Sequence, residues 1–255
     1  MFYDWKKYDE AIKCYDEAIK LNPKFYNPLF NKGKILFELK RYYEALKAYD
    51  KALEINPDDA DTLNDKGLVL QGLGKYDEAI KCYDKAIEID PDNLKAWFNK
   101  ATTLDNLKKY DEAVKAYDKA LEIDPNDPDI WINKALIFYN TGNYKESLDC
   151  YDKALTIYAK ESKSDSDSAL GLNNKAWVLA HIGRNEEALD IIEKALKIEP
   201  SDSDMYDTKG FILYNLGRYE EAIKCYDKAI EINPNDTDFL DHKKLAYKKL
   251  KGNKN

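Results

Sequence analysis

The chain has 255 residues, 35% of them charged and 44% hydrophobic, and a formal net charge of −8. That is enough for a sizeable core under a very polar surface, and the acidic balance disfavours nucleic acid, whose binding rests on neutralising phosphates. Apolar runs fall short of the ~18 residues of a membrane span and Met1-Phe2-Tyr3-Asp4 does not open a signal peptide, so a cytoplasmic protein without membrane association is expected.

The first predicted element is a lone helix over Tyr8–Pro23. It carries a phrase, beginning at Lys7, that returns at Arg41, as KYDEAIKCYDKAIEIDP over 75–91, at Lys109, more loosely at Asn143 and Arg184, and as RYEEAIKCYDKAIEINP over 218–234. From Arg41 onward each phrase follows another predicted helix. Residues 26–59, 60–93, 94–127, 128–168, 169–202 and 203–236 therefore read as helix pairs, 1–25 as a partial unit, and 237–255 as a charged capping helix and tail. The opening tyrosine recurs every 34 residues at Tyr8, Tyr42, Tyr76, Tyr110 and Tyr144, steps by 41 to Asn185, and by 34 to Tyr219.

Within 76–89, Ala79, Tyr83, Ala86 and Ile87 share one helical face, opposite Lys81, Lys85 and Glu88. Small residues keep the same beat in the first helices (Gly33, Gly67, Ala101, Ala135, Ala176, Gly210), letting two backbones approach. Prolines such as Pro57 and Pro91 stop the second helices. Gly74, Gly142, Gly183 and Gly217 end first helices in a left-handed cap, a habit that Lys40 and Lys108 break. At 156–168 (TIYAKESKSDSDS) the second helix is expected to run on and yield to a polar loop, either a tolerated insertion or a hinge. Cys14, Cys82, Cys150 and Cys225 share one slot of the phrase. In a stacked array that slot is too widely spaced for a disulfide or a shared zinc, so they read as small buried thiols.

The 34-residue helix–turn–helix period, with Trp97, Ala101, Leu104, Ala113, Tyr117, Ala120 and Pro125 in order, resembles the tetratricopeptide repeat over nearly the whole chain. The resemblance implies an all-α fold, a right-handed α-solenoid of stacked antiparallel helix pairs. One pair cannot bury its own face, and stacking makes a continuous core. One departure is constant: Lys32, Lys66, Lys100, Lys134, Lys175 and Lys209 replace the family's leucine before the small residue. Their stems are expected along apolar surface with the ammonium in water.

The resemblance also implies a concave groove, lined by the first helices, that binds extended peptides, and hence a protein-interaction scaffold. Catalysis, metals and cofactors are not expected. The two histidines, His181 and His242, lack a metal-ligand spacing, and Gly72-Leu73-Gly74-Lys75-Tyr76 lacks the first glycine and the hydroxyl of a phosphate loop. Two residues before the small slot stand Asn31, Asp65, Asn99, Asn133, Asn174 and Thr208. They resemble the asparagine ladder of superhelical members, since an amide can hold a peptide backbone through both donor and acceptor; the alternative is asparagine tolerated on a wet helix face. Apolar groove candidates are Phe30, Phe37, Phe98 and Ile132, then Leu136, Tyr139, Trp177, Phe211 and Tyr214, with His181 as a further peptide contact. Rings exposed in a groove mark binding sites; the alternative is packing between first helices. The groove acids Glu38, Asp61, Asp65, Asp105, Asp129, Asp204 and Asp207 outnumber the bases Lys34 and Lys95, which points to a basic and apolar segment. The basic carboxylate clamp of chaperone-type members is not matched. The alternative function is self-association through the uncapped helix within residues 1–22, and the chain also reads as a piece of a longer array.

Overall fold

The computed structural model describes residues 5–161 and 165–252. The parts of the expected partial unit, insertion and tail at 1–4, 162–164 and 253–255 lie outside them. Among the described residues there are fourteen helices and no strand. A lone helix α1 (Trp5–Leu21) precedes the pairs α2/α3 (Tyr26–Glu38, Tyr42–Ile55), α4/α5 (Ala60–Gly72, Tyr76–Ile89) and α6/α7 (Leu94–Asn106, Tyr110–Ile123). Then follow α8/α9 (Pro128–Asn140, Tyr144–Glu161), α10/α11 (Asp165–His181, Asn185–Ile198), α12/α13 (Ser203–Asn215, Tyr219–Ile232) and the last helix α14 (Thr237–Gly252). The fold is all-α, built of adjacent antiparallel pairs. It forms two compact units, Met1–Pro125 and Asn126–Asn255, so the division falls at the α7–α8 connection and not at the polar insertion.

The 34-residue beat is a packing rule. In each second helix the alanines of the phrase, such as Ala79 and Ala86, are fully buried, and the central Tyr49, Tyr83, Tyr117, Tyr151 and Tyr226 are at most 2% exposed. Where the small slot is glycine, the tyrosine lies against it, as for Tyr49, Tyr83 and Tyr226. A Cβ placed on Gly67 would sit 2.4 Å from the Tyr83 ring, and one on Gly33 2.6 Å from Tyr49. The small residues thus make room for a ring more than for a second backbone. First helices end as the glycines require, at φ of 74° to 82° for Gly74, Gly142, Gly183 and Gly217; Lys40 and Lys108 take the same turn at φ 57°, which an L side chain enters only at a cost. The starts of α4, α6, α8 and α12 are capped by carboxylate or amide oxygens, as where Asp59 accepts from the Thr62 amide at 2.6 Å, whereas Phe25 before α2 offers no side-chain cap.

The heads of most lysines before the small slot are held by an acid while keeping some contact with water. These reach back to an acid on the preceding second helix: Lys32 to Asp16 at 2.5 Å, Lys66 to Asp50 at 2.7 Å, Lys100 to Asp84 at 2.6 Å and Lys209 to Glu193 at 2.8 Å, with Lys175 on Asp152; Lys243 of α14 does the same to Asp227 at 2.5 Å. The stem still covers apolar surface, and the ammonium ties one pair to the next.

Three further expectations change. The insertion does not form a loop at 165–168, because α10 already begins at Asp165; α9 and α10 each gain about one turn over their counterparts, which absorbs the extra residues. The first helix starts at Trp5 rather than Tyr8. Of the thiols, Cys150 is buried, Cys82 and Cys225 are half-buried and Cys14 is exposed. Burial pushes the Cys225 thiol up to about 11 and raises Cys82 as well.

Candidate functional site

The face left over once each pair is packed is that of the first helices, and it differs between the units. In the N-terminal unit it is laced with polar contacts. The Asn99 amide donates to Asn64 Oδ1 at 2.8 Å, and the Asn64 amide donates to Asp65 at 3.2 Å. Gln71 Oε1 accepts from the Tyr83 hydroxyl at 3.1 Å and from Thr103 at 3.0 Å. The Tyr26 and Thr62 hydroxyls meet at 2.7 Å, and burial pushes the Tyr26 phenol up to about 12. The rings here fold back onto the second helices: Phe30 lies 6.1 Å from Tyr49, Phe37 5.9 Å from Tyr42 and Phe98 5.8 Å from Tyr117. All three are half-buried, as is Asn31, and the Lys34 ammonium stands 5.6 Å from the Phe30 ring.

In the C-terminal unit the same face carries rings that pack on each other. Trp177 and His181 of α10 are 4.5 Å apart, Trp177 and Phe211 of α12 4.9 Å, His181 and Phe211 5.2 Å, and Tyr139 of α8 is 5.5 Å from His181. Centroids this close fill the space between the rings, so the group is a platform and not a cage. Trp177 Nε1 donates to the Tyr139 hydroxyl at 2.9 Å, which holds both rings. His181 Nδ1 lies 3.0 Å from the Trp177 carbonyl oxygen. That oxygen only accepts, so Nδ1 carries the hydrogen and Nε2 of the neutral ring remains an acceptor. His181 is exposed, Leu136 is 37% exposed, and Trp177, Phe211, Tyr139 and Tyr214 are half-buried; Tyr214 lies 5.5 Å from Tyr219.

The sequence-predicted residues do not all reach this surface. Ile132 is 9% exposed and belongs to the core, so it offers a ligand almost nothing. Asn133 donates to the Asp129 carbonyl of its own helix at 2.7 Å, and Asn99 is engaged by Asn64; Asn174 is half-buried, and Thr208 in the same slot is buried. Part of the asparagine ladder is therefore spent inside the protein. The slot one turn before the ring positions supplied the sequence candidates Phe30, Phe98, Ile132 and Asp207, the last of which is buried, but its Asn64 and Asn173 were not singled out. Asn64 is satisfied, whereas Asn173 Oδ1 is enclosed without a partner. His242 of α14 bonds Asp207 at 2.7 Å; burial raises the Asp207 carboxyl and the histidine partly offsets this. Asp65 and Asp105 are likewise raised, in each case chiefly by burial.

Cavities occur elsewhere. One of about 440 Å³ lies beside the Lys32–Asp16 pair, lined also by Leu29, Glu44 and Asp50, and one of about 340 Å³ occupies the comparable place beside Lys175 and Asp152. Both lie against second helices. No group of His, Cys, Asp and Glu among the described residues is arranged to hold a metal ion, and no described helix is long and apolar enough to cross a membrane.

Pairs of short helices repeated at a fixed period and packed side by side define a repeat solenoid as the class of protein. Tetratricopeptide-repeat sequence profiles match residues 24–92 and 127–200, 64–128 and 208–236, and a TPR-repeat profile matches 1–40. The chain belongs to the tetratricopeptide repeat family. No curated protein matches it in sequence. Similar solved structures include YrrB, described as a TPR protein with an unusual peptide-binding site (23% identity, 78% of this chain and 99% of that one, TM-score 0.60). Others are a tetratricopeptide repeat protein from Parabacteroides merdae (21%, 96% and 94%, 0.68) and the C-terminal part of a TPR repeat-containing protein from Cytophaga hutchinsonii (16%, 92% and 94%, 0.73). At these identities the likeness is one of fold. Members of the family bind protein or peptide partners and are generally non-catalytic scaffolds.

Proposed function

We propose that the chain is an interaction scaffold that binds an extended, basic and apolar segment of another polypeptide along the groove lined by its first helices. One observation carries this reading. In the C-terminal unit the first helices offer Leu136, Trp177 and Phe211 at successive equivalent slots, while their lysines are turned to the opposite side. Lys175 and Lys209 pair with acids of second helices, and Lys134 stands 5.5 Å from the Trp131 ring. The face keeps apolar surface and the exposed carboxylates Asp129 and Asp204, which attract cations and repel acidic chains. The peptide-binding site in the printed description of YrrB supports the reading by analogy of fold. Basic, neutral and acidic variants of one leucine-containing peptide, compared by fluorescence anisotropy, test it. The basic peptide is expected to bind most tightly and to weaken with salt; tighter binding of the acidic peptide contradicts the reading.

A second reading, self-association through α1, has its own observation. Ala11, Tyr15 and Ala18 are half-buried where their counterparts Ala45, Tyr49 and Ala52 are at most 1% exposed, and Leu21 is 88% exposed. Of the residues 1–22 assigned to this contact, 1–4 lie outside the described region. Sedimentation of Tyr15→Glu against the unaltered chain tests it: a concentration-dependent oligomer that Tyr15→Glu dissociates supports it, and a monomer at high concentration ends it.

A further inference from the structure

Resting on the peptide-binding reading, we propose that the ring platform of α8, α10 and α12 is an anchor site for an arginine side chain of the bound segment. Three independent features converge on a planar cation. The first is the platform itself. Trp177, His181 and Phe211 are mutually within 5.2 Å, and the bond from Trp177 Nε1 to Tyr139 fixes the largest ring before a ligand arrives. A guanidinium is flat, stacks on ring faces and sheds water more readily than an ammonium. With no room between the rings, the ligand group must lie across them, which suits a plane better than a compact charge.

The second feature is a directed acceptor. The Trp177 carbonyl takes the Nδ1 hydrogen of exposed His181, leaving Nε2 to accept from a donor at the edge of the platform. Guanidinium supplies such donors in its own plane. The third is the flanking charge. Asp204 is exposed on α12 seven residues before Phe211, a rise of ~10 Å at 1.5 Å per residue. Asp129 is exposed near the start of α8. An extended segment advances ~3.3 Å per residue, so basic residues next to the anchored arginine come within range of these carboxylates. The equivalent slots of the N-terminal unit, Lys34, Leu68 and Thr102, include a cation and a hydroxyl and build no such platform. The anchor therefore belongs to the C-terminal unit.

The probe is a short labelled peptide of alternating arginine and leucine, with lysine, citrulline and glutamate counterparts, measured by anisotropy on the full chain. The arginine peptide is expected to bind about tenfold more tightly than the citrulline peptide, several-fold more tightly than the lysine peptide, and the glutamate peptide not at all. Trp177→Ala should weaken the arginine peptide about tenfold and narrow the difference between arginine and citrulline. Trp177 also bonds Tyr139, so His181→Ala, at an exposed position, provides a variant that spares the core and is expected to cost several-fold. Equal affinity for arginine and citrulline, or binding unchanged in both variants, overturns the anchor while leaving peptide binding in place. Failure of every peptide to bind the unaltered chain overturns the peptide-binding reading itself, and the anchor with it.

Discussion

The two units use one scaffold and differ on one face. In the N-terminal unit polar contacts tie the first helices together: Tyr26–Thr62 joins α2 to α4, and Asn64–Asn99 and the Gln71 node join α4 to α6. In α8, α10 and α12 a neighbouring slot of that face, held by Lys34, Leu68 and Thr102 in the N-terminal unit, carries Leu136 and the tilted, closely packed rings of Trp177 and Phe211. The buried side repeats in both units, with a tyrosine on a small residue and, at most junctions, a lysine on an acid. The repeat thus fixes what is buried and leaves the first-helix face free to diverge, so differences between equivalent slots say more about function than the slots that stay the same.

The largest effects are expected where the units should be alike. Tyr83→Ala and Tyr226→Ala each remove a ring no more than 2% exposed, and each should cost about 3–5 kcal/mol in urea unfolding. A loss below about 1 kcal/mol in one unit only would break the equivalence of the cores. Gly67→Leu should approach the same loss from the other side of the contact, because even a Cβ there lies 2.4 Å from the Tyr83 ring.

The next test sets one slot against itself. Asn64→Leu removes a buried acceptor that Asn99 uses and should cost about 1–2 kcal/mol. Asn173→Leu removes an enclosed oxygen that lacks a partner and should stabilise by about 1 kcal/mol. The same sign at both positions would show that the polar lacing is not confined to the N-terminal unit.

Asp65 adds a pH signature to that unit. Burial raises its folded pKa above the ordinary 3.8, so ionisation costs folding free energy at neutral pH, and the cost disappears as pH falls through the raised value. Asp65→Asn should therefore be more stable than the unaltered chain at pH 7 and lose that advantage toward pH 3 in thermal scans. The smallest effect is assigned to the lysine–acid ties. Lys100→Met should cost less than about 1 kcal/mol and reduce the dependence of stability on salt, because both partners keep contact with water.

Most of the fold was legible because one packing unit is written repeatedly: tyrosine, alanine, glycine and proline slots marked the helices, caps and pairs. The lysine ties were legible in principle, since Lys66 and Asp50 stand sixteen residues apart, as do Lys100 and Asp84. They were missed because a lysine over apolar surface satisfies the sequence pattern equally well. Residues 165–168 read as a loop because serine and aspartate favour turns, yet the pull of helix packing carried them into α10. The candidate site was legible as a face but not as a surface. Periodicity placed Trp177, His181 and Phe211 together, but it could not show that Ile132 sinks into the core or that Asn99 is engaged by Asn64, since both depend on neighbouring helices.

The most direct measurement follows backbone and tryptophan-indole resonances while the arginine–leucine peptide is titrated in. The account predicts saturable shifts that centre on Trp177, His181 and Phe211, extend to Asp204 and leave the second helices unmoved. Shifts confined to the second helices, or centred on α2, α4 and α6, would contradict it.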